Sequence, residues 1–141
     1  FLNTPHAAIT KEQINLVHMD VSKEKILEWD PDFIFVDLST MQLESKANAI
    51  QELKTDPMYQ HLKAVQSGDV YGVLPYNWYT QNHGSTLVNA YFIGKILYPD
   101  AFADIDPKKK ADEIYRFLVG KPVFIDMNES FSHKAFTRLE I

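Results

Sequence analysis

Two short runs of apolar residues place the strongest constraint on the fold of this chain. "FIFVDL" (Phe33–Leu38) is a nearly unbroken apolar run rich in β-branched and aromatic residues, and "VYGVL" (Val70–Leu74) follows a turn at Gly68-Asp69. Continuous runs of this kind are typical of strands that are buried on both faces, as in parallel sheets. We therefore predict strands over 33–37 and 70–74 in a short, mainly parallel sheet.

Helical patterns separate and follow these runs. Helices are predicted from the Ser22 cap to Pro31, over 42–54, in a short turn within 56–65, over 85–98, and from Asp106-Pro107 to Gly120. Strands that alternate with helices indicate an α/β fold, a three-layer α/β/α sandwich with helices on both faces of the sheet. Residues 1–20 are predicted to be irregular, and the pattern from 123 to 141 is ambiguous.

Composition narrows the classes of function. The 141 residues suit one domain, and the net charge of -5 comes without a basic stripe, so we expect no nucleic-acid partner. The chain has no cysteine, which excludes disulfides, thiolate metal sites and cysteine nucleophiles. No apolar run approaches the roughly 20 residues of a spanning helix. Because the chain begins at Phe1 without Met, we expect it to be a segment of a longer protein.

A loop dense in aromatic and amide side chains follows the second predicted strand. Its candidate ligand-binding residues are Tyr76, Asn77, Trp78, Tyr79, Asn82 and His83. Aromatic rings give wide, rigid contact area, and amides surround it with donors and acceptors. In open α/β sheets, ligands bind beyond the carboxyl ends of the strands. The helix that follows would also point its partly positive N-terminus at this space. The loop therefore suits a bulky, polar ligand, although its aromatics could instead cover the sheet edge.

The loop after the first predicted strand is a weaker candidate. Ser39 and Thr40 are placed with the ligand-binding residues, whereas Asp37 could either bind ligand or cap the next helix. The segment from Leu87 to Leu97 is apolar almost all round and is predicted to be a core helix.

Catalytic and metal-binding patterns are not found in the sequence. The five histidines are scattered without helical ligand spacing, so we expect no metal site and no resident cofactor. No nucleophile elbow, phosphate-binding loop or dinucleotide fingerprint is present, and no catalytic residue is assigned. We therefore expect a binding protein and not an enzyme.

Longer stretches of the sequence resemble a known family. "VSKEKILEWDPDFIFVDL", "LKAVQSGDVYGVLPYNWYTQNHGSTLVNAYFIGKILYPDAF" and "DIDPKKKADEIYRFLVGKPVF" are similar to the C-terminal lobe of ABC-transporter substrate-binding proteins. The nearest group is the iron(III)-siderophore and cobalamin class, and the resemblance covers about residues 21–124.

The resemblance implies a division of the chain and a set of partners. Residues 1–20 would follow a missing inter-lobe helix, and 21–141 would form the C-terminal ligand-binding lobe of a two-lobed, extracytoplasmic, membrane-anchored protein. Ligand would lie between the lobes, with Trp78 matching an aromatic that lines the cleft in relatives. The expected partners are an iron(III) chelate, a corrinoid or haem, an ABC permease, and an N-terminal lobe absent from this chain. The acidic permease-docking residue implied by the resemblance has no counterpart in the loop, which offers Thr80 and Gln81.

Two other functional classes stay open on the sequence alone. One is a half-site enzyme or scaffold subunit like those of metallocluster assembly, although these usually carry cluster-binding cysteines. The other is a non-transport interaction or sensory domain of similar layered fold, for which Asp37 alone does not supply the acidic cluster of a receiver domain.

Overall fold

A computed structural model describes residues 21–42, 48–77 and 80–141. Its elements are α1 Lys23–Trp29, β1 Ile34–Asp37, a 3-10 helix Leu38–Gln42, α2 Ala49–Thr55, a 3-10 helix Tyr59–His61, α3 Lys63–Ser67, β2 Val70–Val73, α4 His83–Leu97, α5 Pro107–Val119 and α6 Phe124–Ser130. The predictions for residues 1–20, Trp78 and Tyr79 lie outside the described residues.

The two predicted strands pair in parallel. Ile34 lies opposite Val70, and Asp37 lies opposite Val73, so the carboxyl ends of both strands meet at one edge. Every residue of β2 is buried, as are the first three residues of β1. The predicted parallel strands are confirmed, although β1 begins one residue later and β2 ends one residue earlier than predicted.

Helices cover both faces of the sheet, which confirms the predicted α/β/α layering. On one face the Phe92 ring of α4 lies edge-on to Phe35 and Tyr71, at centroid distances of 6.4 and 6.0 Å. Ile34 of β1 lines a cavity with Ile26 of α1 and Leu53 of α2, which belong to the other layer. The buried side chains of both layers form one hydrophobic cluster.

The ambiguous C-terminal stretch becomes a helix and an edge strap. After α6, the strap (134–139) runs along the outer edge of β2, where Phe136 N–H donates to Gly72 O (2.9 Å) and Leu139 N–H donates to Val70 O (2.7 Å). Gly72 N–H in turn donates to Thr137 O at 3.0 Å. The strap therefore satisfies backbone groups that an open sheet edge would expose.

Capping residues set the helix boundaries. Ser22 accepts from Lys25 N–H, and Asp106 precedes Pro107 and accepts from Lys108 N–H, as the sequence predicts. The continuous helix predicted over 42–54 is wrong. Asn48 has an extended backbone (φ -84°, ψ 109°), and its side chain caps a helix that begins only at Ala49.

The prediction that α4 is a core helix is correct for one side only. Val88 and Phe92 are buried, whereas Leu87 is 47% exposed and Ala90 is exposed. The apolar residues of α4 therefore do not all face the core, and some of them, such as Ala90, line the second cavity described below. None of the described helices combines the length and the apolar run that crossing a bilayer requires.

Candidate functional site

The loop after β1 is held close to the sheet by its own side chains. Asp37 Oδ1 accepts from Ser39 N–H at 2.8 Å, so this carboxylate caps the following 3-10 helix, which was one of its two predicted roles. Thr40 is 7% exposed, and its hydroxyl oxygen accepts from Ala49 N–H at 2.7 Å. Thr40 thus ties this loop to the first turn of α2, while Ser39 is half-buried.

The loop after β2 is tied to α4. Tyr76 O accepts from Asn82 N–H at 2.6 Å, and Asn82 Oδ1 accepts from Ser85 N–H at 3.0 Å. Asn82 is therefore the N-cap of α4, and His83, the first residue of the helix, is exposed. These bonds hold the N-terminus of α4, with its partial positive charge, next to the loop after β2.

Two cavities include residues of the loops at the carboxyl ends of the strands. The first, of about 350 Å³, is lined by Asp37, Ser39 and Thr40 together with apolar side chains of β1, α1 and α2. The second, of about 460 Å³, is lined by Tyr76, by residues of α4 that include the buried Asn89, and by Tyr98 and Phe102. Burial raises the pKa of Tyr76, and the negative charge of nearby Asp37 raises it further.

The predicted site residues are thus distributed over one edge of the molecule. Ser39 and Thr40 lie at the first cavity and Tyr76 at the second, with Asn77 half-buried next to Tyr76 in the chain. Asn82 and His83 lie where α4 begins. The groups on offer are hydroxyls, amides and aromatic rings, which suit hydrogen bonding and stacking to a neutral or weakly charged ligand. Within the described residues, no group of three or more His, Asp or Glu could hold a metal ion.

A third cavity lies at the opposite end of the strands. It measures about 500 Å³ and is lined mainly by polar and charged residues, among them Asp32, Lys63 and Asp69. Asp69 directly precedes β2, so this cavity lies at the amino ends of the strands. Ligands of open α/β sheets bind at the carboxyl ends, and we therefore assign the candidate site to the first two cavities.

Asn89 is a residue of this region that the sequence reasoning missed. It is 4% exposed on α4, and its side chain exchanges two hydrogen bonds with the backbone of Leu74, the residue that ends the β2 run. A polar residue inside the apolar stretch "LVNAYFIG" was the available indication. Buried amides of this kind have a partner in nearly all proteins, so the position could have been flagged.

Comparison with known proteins finds a family to which part of the chain is similar. Residues 9–76, which contain both strands, match the model of the periplasmic binding protein family. Over this segment, the chain is similar to the periplasmic binding proteins. The match confirms the resemblance, and it is to a family of binding proteins, in agreement with the expectation of a non-enzymatic role.

Two individual proteins extend the comparison. The iron-uptake system-binding protein of Bacillus subtilis (strain 168) is 40% identical over 50 residues, which are 36% of this chain and 16% of that protein. The crystal structure of a periplasmic solute binding protein from Veillonella parvula DSM 2008 matches with a TM-score of 0.54 at 21% identity, over 84% of this chain and 37% of the other. The structural match shows a shared fold. This chain spans well under half the length of either protein.

Proposed function

We propose that this chain is the C-terminal lobe of the solute-binding component of an ABC importer. In this role it captures an iron(III) chelate, or a related haem or corrinoid, and delivers it to a membrane permease. Similarity of residues 9–76 to the periplasmic binding protein family supports the solute-binding part and an extracytoplasmic location. The relative from Bacillus subtilis, whose name refers to iron uptake, supports iron as the cargo.

One observation carries the proposal to particular residues. The loops after both parallel strands lie at the carboxyl edge, where hydroxyl, phenol and amide groups border two cavities whose linings are otherwise mainly apolar. A metal chelate presents a broad, partly apolar surface with carbonyl and amide groups at its rim. Aromatic and amide side chains match such a surface through stacking and hydrogen bonding. We assign Tyr76, Asn77, Trp78 and Tyr79 to ligand contact, with Ser39, Thr40, Asn82 and His83 at the margin.

The charge of the site favours a particular class of chelate. Neither loop segment, 38–42 or 74–83, contains a lysine or an arginine, and Asp37 adds a negative charge at the edge. The N-terminus of α4 offers a partial positive charge of about half an elementary charge. A near-neutral chelate, such as a ferric tris-hydroxamate or a corrinoid, therefore fits this lobe better than a trianionic tris-catecholate.

Calorimetric titration of the 141-residue chain tests the proposal. The probes are ferrichrome, ferric enterobactin, haemin and cyanocobalamin. Because this chain covers 37% of its structural relative, we expect a second lobe to supply further contacts. The chain alone should then bind with a Kd roughly in the micromolar to millimolar range. Failure of all four probes to bind, at concentrations up to about a millimolar, would contradict the proposal.

A matched pair of tryptophan variants locates the site. Trp78→Ala should weaken binding by about 1–3 kcal/mol, the range for a buried aromatic anchor. Trp29→Ala removes the other tryptophan of the chain, which ends α1 ahead of the amino end of β1, and should leave affinity unchanged. Equal effects of the two substitutions on affinity would place the ligand elsewhere.

A further inference from the structure

The position of the loop after β2 depends on hydrogen bonds to α4. Leu74, fully buried, is the last residue before Pro75 and Tyr76. Its N–H donates to Asn89 Oδ1 at 3.0 Å, and its carbonyl oxygen accepts from Asn89 Nδ2 at 2.8 Å. One amide side chain thus replaces the two bonds that a neighbouring strand would make. It fixes the point at which the chain leaves the sheet.

The other end of the same loop is also attached to α4. Asn82 N–H donates to Tyr76 O, and the Asn82 side chain caps the first turn of the helix through Ser85 N–H. The segment 75–82 therefore has its start and its end tied to a single helix, two turns apart. A change at either attachment would shift the loop relative to the strands and to the cavity lined by Tyr76.

We propose that Asn89 is a positioning residue for the ligand-binding loop, acting through Leu74. Asn89 also lines the cavity that Tyr76 lines, but its amide oxygen and nitrogen both bond to Leu74, so we place its effect in the backbone of Leu74. Its two hydrogen bonds to Leu74 set the direction in which Pro75 and Tyr76 leave the sheet. This inference rests on the proposed function, because the loop it positions is the one assigned to ligand contact.

If the role of Asn89 were purely structural, loss of its two hydrogen bonds would lower the stability of the fold without changing the position of the loop. Buried backbone groups at a strand end need partners wherever they occur, and loss of those partners destabilises any fold. Asn128 provides a matched comparison. It is also a buried asparagine (8% exposed), and its Oδ1 accepts from the backbone N–H of Ala135 at 2.8 Å, near the strap and away from the loop.

Tryptophan fluorescence separates the two roles without any ligand. In a Trp29→Phe background, Trp78 is the single tryptophan of the chain and lies in the loop. Asn89→Ala should change the acrylamide quenching of Trp78, whereas Asn128→Ala should leave it as in the parent, at comparable cost in thermal stability. Unchanged quenching in Asn89→Ala, or equal changes in both variants, overturns the positioning role.

Two additions make the test decisive. Asn89→Asp replaces Asn89→Ala if the alanine variant does not fold. It keeps an acceptor for Leu74 N–H but loses the donor to Leu74 O, so it should fold and should give a smaller change in quenching. No change in this variant also counts against the proposal.

Titration with the four chelates is the second addition. Asn89→Ala should weaken binding at least about 10-fold and Asn128→Ala less than about 2-fold, the difference expected for loss of one or two buried hydrogen bonds. Equal weakening in both variants overturns the positioning role. If the parent binds none of the probes, the proposed function fails, and the quenching result still decides the role of Asn89.

Discussion

Replacing Gly72 by alanine should detach the C-terminal strap from β2. Gly72 is in the middle of the buried strand, and a Cβ atom there would lie 2.3 Å from the backbone oxygen of Lys134 and 3.2 Å from Leu38 Cδ2. The nearer atom belongs to the main chain, so a rotamer change cannot relieve the contact. The strap must move away from the strand.

The cost can be worked from the contacts that this movement breaks. Gly72 exchanges two backbone hydrogen bonds with the strap, with Phe136 N–H and Thr137 O, and each contributes roughly 1 kcal/mol net. Phe136 is 5% exposed and stacks on Phe92 at 4.7 Å, so its partial displacement adds about 1–2 kcal/mol. We expect Gly72→Ala to lower the free energy of unfolding by about 3–4 kcal/mol.

Urea unfolding and hydrogen exchange measure this effect. Gly120→Ala is the control, because no atom lies within 4 Å of its added Cβ and only the left-handed backbone (φ 80°) opposes alanine, at about 1 kcal/mol. Peptides covering 134–141 should exchange hydrogen faster in Gly72→Ala than in the wild type, and their exchange rate should be unchanged in Gly120→Ala. Equal destabilisation of the two variants, with normal exchange in the strap, would refute the reasoning.

Three further predictions concern single side chains. Hydrogen bonds from Ser67 and Tyr71, with the charge of Arg138, hold the pKa of Asp69 below its usual value. The ionised carboxylate therefore stabilises the fold above the usual carboxyl pKa range. In urea unfolding, the stability difference between the wild type and Asp69→Asn should be full above about pH 5 and should vanish as the pH falls below about 4. Asp106→Ala removes the acceptor for Lys108 and Lys109 N–H and should cost about 1 kcal/mol in urea unfolding, with the exposed Asp104→Ala near zero. Tyr115→Phe leaves Ser85 Oγ buried without its 3.1 Å partner and should cost about 1–2 kcal/mol in thermal unfolding, against no change for the exposed Tyr98→Phe.

Local features of the fold could be predicted from the sequence because their causes lie within a few residues. The apolar runs predicted β1 and β2, and Pro107 with Gly120 predicted both ends of α5. The start of α2 was missed because apolar spacing continues across Asn48, while the extended backbone at Asn48 begins a new cap. Periodicity cannot show which polar residue stops a helix and starts another.

Contacts between distant parts of the chain could not be predicted in the same way. The hydrogen-bonded residues of the strap and of β2 are separated by more than 60 positions in the sequence. Phe136 also adopts a positive φ of 58°, which no local sequence pattern indicates. Asn89 was hidden in an apolar helix because its partner, Leu74, is distant in sequence. At the candidate site, the loops and their place at the strand ends were predicted, whereas the attachment of the second loop to α4 was not.

Amide chemical-shift mapping tests the location of the ligand site most directly. The probes are gallium(III) ferrichrome and cyanocobalamin, both diamagnetic, titrated into the 15N-labelled chain. We predict shifts at the amides of Ser39, Asn77 and His83, at the carboxyl ends of the strands. The amides of Phe33 and Gly68, which adjoin the polar cavity at the amino ends, should not move. Shifts confined to Phe33 and Gly68, or none with either probe, would contradict a ligand site at the carboxyl edge of this sheet.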